Sequence, residues 1–269
     1  MGRSVKAEDA IKLWKDSLKA CGKSSSTIDT YVGMVRQLLP DRSINIADVT
    51  VDHIDDFVNA RDGNSLATKQ LRLACSRLFF SFCSASNFIA GDPSKLVGVR
   101  KHDLEHEQME RERRKVLTLD MLGDISGLPD FWRIAILFGV NHGFRLSDTA
   151  QLTWASFETV GKLIWFPDKT RRRMETDIHP DCSGAIAGLN RVGRYLFPEE
   201  REIARDSKRR ALLSVKFSRL MVARGLAGYT FHGLRHGFAT GLAKAGNNLE
   251  EVGAKLGHKS VETTKIYVH

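Results

Sequence analysis

The sequence predicts a mainly α chain with a small antiparallel β-sheet, divided into an all-helical N-terminal domain and a mixed α+β C-terminal domain. Three observations lead to it. Apolar residues recur at helical spacing through residues 7–87, a charged stretch at 100–115 interrupts them, and short apolar segments alternate with turn signals between 157 and 178 before helical spacing returns.

Residues 7–20 place Ala10, Leu13, Trp14, Ser17 and Leu18 on one helical stripe. Ser24-Ser25-Ser26-Thr27 supplies cap residues for a second helix carrying Ile28, Tyr31, Val32, Val35, Leu38 and Leu39, which ends at Pro40. Thr50 or Asp52 starts a third helix with Ile54, Phe57 and Val58. A fourth begins near Asn64 or Ser65 and runs through Leu71, Leu78, Phe79 and Phe82 to about Asn87. Gly91-Asp92-Pro93 stops this bundle, and 100–115 reads as a solvated linker or surface helix in which His102 and His106 give only a weak metal hint. The domains so defined are 1–99 and 116–269. The second opens at Val116-Leu117-Thr118, with Thr118 as a cap, and continues into the apolar segment 131–140. Segments 157–160, 163–166 and 174–178 are expected as strands, and helices return from about 208 with Gly225, Gly246 and Gly257 as stops.

The 269 residues carry a formal charge of +9, which makes attraction to a polyanion available. The excess is uneven: residues 116–269 hold 22 Lys and Arg against 16 Asp and Glu, so +6 of the +9 lies there. Mean hydropathy of −0.26 and the lack of an apolar run near the ~18 residues of a bilayer span describe a soluble protein with no membrane partner. The N-terminus turns acidic before any apolar stretch, so a cytoplasmic location is expected. Cys21, Cys75, Cys83 and Cys182 form no C-x-x-C and no regular spacing, which predicts reduced, mostly buried thiols. Cys21-Gly22-Lys23-Ser24 ends like a P-loop, but Ser17 stands where the motif's first glycine belongs. H-E-x-x-H, G-x-S-x-G and G-x-G-x-x-G are absent, which removes metalloprotease, α/β-hydrolase and dinucleotide readings.

The chemistry concentrates at the end of the chain. Phe231-His232-Gly233-Leu234-Arg235-His236 puts an imidazole and a guanidinium three apart, able to address one phosphate from one helical face, while His236 turns elsewhere as a supporting residue. Leu256-Gly257-His258-Lys259-Ser260 and Thr263-Thr264-Lys265-Ile266-Tyr267 follow, with Tyr267 nine positions after His258. Upstream, Gly143-Phe144-Arg145-Leu146-Ser147-Asp148 sets an acid one turn from an arginine, and Asp168-Lys169-Thr170-Arg171-Arg172-Arg173 sets four cations at a hairpin turn. Each alone has a plain alternative: an ion pair at a helix start, a solvated basic turn, a packed histidine, an aromatic anchor. Together they suit attack by a phenol on a phosphodiester.

At these residues the chain resembles the tyrosine recombinases of the phage-integrase family. Segments 143–148, 231–240 and 256–267 match the family's three blocks in order, and the N-terminal bundle resembles its SAM-like core-binding domain, so the similarity covers nearly the whole chain. The resemblance implies a catalytic set of Arg145, Lys169, His232, Arg235, His258 and the nucleophile Tyr267, with Asp148 supporting the first arginine. It implies a two-domain clamp on double-stranded DNA bearing a specific recombination site, a homotetramer on two duplexes, a 3′-phosphotyrosine intermediate, and no metal, ATP or other cofactor. Lys169 is the implied acid for the departing 5′ oxygen, and His258 a hydrogen-bond partner of a phosphate oxygen. Arg171, Arg172 and Arg173 are phosphate-contact candidates. Two departures stand out. Gly233 occupies a position where relatives often have an acid, which predicts looser support for the site. The chain also stops two residues after Tyr267, where relatives continue into a tail that packs on a neighbour, leaving a different synapsis or a truncation open. Without an arm-binding N-terminal domain, simple-site recombination is the expectation. A type IB topoisomerase-like activity, a catalytically silent DNA-binding protein on the same scaffold and a basic RNA-binding protein are the rivals.

Overall fold

The computed structural model describes residues 4–60, 65–100, 115–168, 171–206, 209–258 and 264. The chain falls into two compact units, residues 1–113 and 114–269, each with its own core. The stretch at 101–114, with His102 and His106, lies outside the described residues.

In the first unit, α1 (Ala7–Ala20) opens on Glu8 and Asp9 and carries Lys19 in its last turn, charges that complement the helix dipole. It buries Ala10, Ile11, Trp14 and Leu18. Its core stripe is rotated from the expected one, because Leu13 is 49% exposed and Ile11 takes its place. Apolar residues flank Trp14 on both sides, so spacing admits either phase and packing decides: Trp14 stacks on Tyr31 at 6.4 Å and meets Phe79 edge-on at 5.2 Å. Tyr31 belongs to α2 (Ser25–Leu38), whose first turn is capped by the Ser24 hydroxyl accepting from the Thr27 amide at 3.2 Å. The short α3 (Val51–Val58) starts at Thr50, whose hydroxyl and amide both engage His53. Ser65 caps α4 (Leu66–Ala85), which buries Cys75, Phe79, Phe80 and Cys83, while Leu78, expected in the core, is 46% exposed. Asp92 then caps a single 3₁₀ turn, Pro93–Leu96.

The second unit begins with α5 (Leu119–Leu122). Thr118 occupies the cap position, but its side chain makes no capping bond. The apolar α6 (Asp130–His142) runs through the core and is followed by α7 (Leu146–Ala150). The sheet has two antiparallel strands, β1 (Lys162–Trp165) and β2 (Met174–Asp177), with Trp165 opposite Met174 and a Lys162–Asp177 ion pair of 2.6 Å at the far end. Residues 157–160 are not a strand: Trp154–Phe157 is a 3₁₀ turn, and Val160 is 97% exposed before the turn at Gly161. Two helices that the apolar spacing does not signal, α8 (Pro180–Ala187) and α9 (Pro198–Arg205), each start with proline in the first turn, where the missing N–H costs no helical bond. Then come α10 (Ala211–Ala223), α11 (Phe231–Lys244) and α12 (Leu249–Leu256), with Gly225, Gly246 and Gly257 at positive φ after them, as the stop signals require.

Among the described residues no helix is long and apolar enough to cross a membrane. All four cysteines are free thiols. Cys21 is exposed, whereas burial pushes Cys75 up to about 11 and Cys83 and Cys182 up to about 12, so the buried three stay protonated.

Candidate active site

The site is built where the turn after α6 meets α11 and the end of α12. Gly143 closes α6 in the left-handed conformation, φ 63° and ψ 28°. A Cβ there would also stand 2.6 Å from a Phe238 ring carbon and 2.7 Å from a Leu256 methyl, so both conformation and space demand glycine. Phe144 follows and is fully buried, its ring 5.1 Å from Phe138 and 4.6 Å from Trp165. That anchor directs Arg145, the residue that starts α7, back toward the surface; its side chain keeps 25% exposure and meets Asp148 at 3.5 Å. Asp148 is buried and also accepts from the Asp168 amide at 3.4 Å, which ties the end of the β1 arm to the Arg145 turn. Burial pushes the Asp148 carboxyl above the usual carboxylate range, against the opposing pull of Arg145, the Asp168 amide and Arg235.

Arg235 is buried inside α11 and bridges the other two elements. Its Nη1 donates to the Gly143 carbonyl, and its Nη2 donates to the Leu256 carbonyl at 2.7 Å and contacts His258 Nε2 at 2.9 Å. His258 follows the left-handed Gly257 directly, and its amide donates to the Gly253 carbonyl at 2.9 Å. On its other side, His258 Nδ1 lies 2.9 Å from Thr264 Oγ1. His232 is exposed, one turn before the buried His236, and their rings meet edge to face at 5.1 Å. His236 therefore does not turn elsewhere: the i, i+4 spacing puts it under His232 as a support. Arg172 and Arg173, both exposed, join His258, Met174 and Gly257 around a cleft of about 610 Å³, while Arg171 is exposed at positive φ on the same turn. Arg173 also pairs with Glu175 at 2.7 Å. Lys169 and Tyr267 lie outside the described residues.

Gly233 has a structural reason. The Leu117 amide donates to its carbonyl at 3.1 Å, and a Cβ would stand 2.8 Å from the Lys115 carbonyl oxygen. Gly237, one turn on, meets Leu117 in the same way. Main chain from 115–117 fills the space where a side chain would lie, so the glycine brings close packing of that segment on α11 rather than a gap.

Residues 128–269, more than half of the chain, match the phage integrase family. The chain belongs to that family. It is similar to the tyrosine recombinase XerC of Mycobacterium bovis (strain BCG / Pasteur 1173P2), 26% identical over an alignment that covers 93% of this chain and 89% of the relative. The corresponding XerC of Escherichia coli O139:H28 is 26% identical over 234 residues, covering 82% and 76%. In fold the integrase chain matches a lambda integrase dimer bound to a COC′ core site, with a TM-score of 0.74 at 19% identity over 99% of this chain and 78% of that one. A lambda integrase tetramer bound to a Holliday junction gives 0.75 over the same shares. The mainly helical fold with its small antiparallel sheet is thus that of the family, and the chain is a DNA strand-exchange enzyme.

Two features of this integrase's site carry little mark in the sequence. Thr264 has no chemistry of its own to single it out among its neighbours, and Gly143 reads only as part of a turn. Gly143→Ala is expected to lower unfolding free energy by about 2–4 kcal/mol, from the left-handed conformation together with the overpacking against Phe238 and Leu256. Urea titration checks it; a loss under about 0.5 kcal/mol would show that the turn relaxes freely.

Proposed function

We propose that this integrase cleaves and rejoins duplex DNA at a specific recombination site through Tyr267, acting as a homotetramer on two duplexes. The Tyr267 oxygen attacks the scissile phosphorus and the bond to the 5′ oxygen breaks, leaving a 3′-phosphotyrosine and a 5′-hydroxyl. His232 takes the phenolic proton, and Lys169 gives one to the departing oxygen. A phenol ordinarily titrates near ~10, so a nearby base is needed as it attacks. Negative charge grows on the non-bridging oxygens, and Arg145 and Arg235 neutralise it, His258 standing beside Arg235; guanidinium groups keep their charge at any working pH. Attack by a 5′-hydroxyl from the other duplex reverses the step and exchanges strands, the phosphodiester's energy being kept in the covalent link. The exposed Arg171, Arg172 and Arg173 grip the backbone by phosphate contacts, while bases in the grooves set the site. The reaction belongs in the compartment that holds the DNA, the cytoplasm.

The observation that carries this reading is the convergence of Arg145 with Asp148 and of Arg235 with His258 around one turn, beside a cleft rimmed by Arg172 and Arg173. The test is to mix the protein with fragmented, end-labelled DNA of its source genome in chelator and quench with detergent. A protease-sensitive adduct is expected, with a 5′-hydroxyl on the released strand. A 5′-linked adduct, or DNA bound without any adduct, would end the proposal. Plasmid relaxation without strand transfer between duplexes would move it to a topoisomerase-like enzyme.

A further inference from the structure

We infer that Thr264 is a positioning residue: it fixes the tautomer of His258 and through it holds the Arg235 guanidinium in place. The inference rests on the reading of Arg235 as the phosphate-binding arginine.

The hydrogen-bond chemistry leaves one arrangement. Arginine has donors only, so at 2.9 Å from Arg235 Nη2 the His258 Nε2 must present its lone pair. A neutral imidazole whose Nε2 accepts carries its proton on Nδ1, and that proton points at Thr264 Oγ1, 2.9 Å away. The opposite tautomer would set two N–H donors against each other at the Arg235 contact. Both Nη2 hydrogens then have acceptors, the Leu256 carbonyl and His258, while Nη1 holds the Gly143 carbonyl. The guanidinium plane is thereby fixed from three directions, and one of the three depends on Thr264.

The seat of Thr264 is built for this contact. The residue is fully buried, and its hydroxyl lies 2.8 Å from where a Cβ on Gly253 would stand, too close for any side chain there. Gly253 also accepts the His258 amide, so the glycine that admits the threonine fixes the histidine backbone too. Thr264 precedes Tyr267 by three positions in the chain. His258 then serves the phosphate by positioning Arg235, with its Nε2 an acceptor in the free enzyme.

Nitrogen-15 spectra of histidine-labelled protein decide it, with a His258→Gln sample to assign the resonance. The parent is expected to show His258 protonated at Nδ1, and Thr264→Val, which keeps the shape and removes the acceptor, to shift it toward Nε2. On the same samples, adduct formation by Thr264→Val should fall about tenfold with DNA affinity within about twofold, whereas Thr264→Ser should keep the tautomer and stay within about threefold of the parent rate. A parent already protonated at Nε2, or a Thr264→Val protein with the parent's tautomer and rate, overturns the inference. If Thr264→Val does not fold, the parent and serine spectra still decide. A parent with the expected tautomer that forms no adduct removes the phosphotyrosine reading, while its spectrum supports the positioning role.

Discussion

Tyr267→Phe is expected to bind DNA within about twofold of the parent and to form no covalent adduct, a loss of at least ~10⁴-fold in cleavage. The substitution removes one oxygen and leaves the ring, so packing and charge stay the same and only the nucleophile goes. No other tyrosine is free to take its place, as the sequence holds four. Tyr31 stacks on Trp14 in the other unit's core, Tyr195 lies under Arg201 at 3.8 Å, and Tyr229 lies under Lys115 at 5.0 Å. The measurement is a denaturing gel of detergent-quenched reactions on a nicked substrate, where loss of the leaving strand traps the intermediate. Equal adduct in parent and variant, with the linkage mapped to another residue, would rule out Tyr267 as the nucleophile. Weak binding by the variant would instead mean that the phenol has a role in holding DNA.

The charge pattern of the site is legible in the residues themselves. Arg145, Asp148, His232, Arg235 and His258 are visible because their chemistry is in their side chains and their spacing fits helix starts and turns. The caps at Ser24, Thr50 and Ser65 and the stops at Gly225, Gly246 and Gly257 are equally local, set by one residue's own hydrogen bond or φ. Tertiary choices are not legible in this way. Whether Leu13 or Ile11 faces the core depends on Tyr31 and Phe79, which lie on other helices. The strand expected at 157–160 does not form, since strand pairing needs a partner and none is offered there among the described residues. Arg235 is held by the carbonyls of Gly143 and Leu256, and main-chain acceptors leave no mark in a sequence. The same holds for Thr264, an ordinary residue until His258 is found beside it.

Arg235→Lys is expected to lose both activity and stability, whereas Arg145→Lys should lose mainly activity. A lysine at 235 keeps the charge but replaces a planar fork with a single point donor, which cannot reach the Gly143 carbonyl, the Leu256 carbonyl and His258 together. At least one acceptor is then buried without a partner, at a cost of about 1–3 kcal/mol. Single-turnover cleavage should fall by about 10²–10³, the size expected when one preorganised donor to a developing oxyanion is displaced. Arg145 keeps a quarter of its side chain in solvent and, among the described residues, makes one ion pair, at 3.5 Å, with Asp148. A lysine there loses the fork that would grip a phosphate but still neutralises Asp148, so cleavage should fall comparably while unfolding free energy changes by less than about 1 kcal/mol. Cleavage rates and urea midpoints measured on the same preparations separate the two residues. Equal stability losses would show that Arg145 carries more of the fold than its ion pair with Asp148 suggests. Full stability in Arg235→Lys would mean that the carbonyls of Gly143 and Leu256 find water, and that the bridge between the α6 turn and α12 is not what holds this site together.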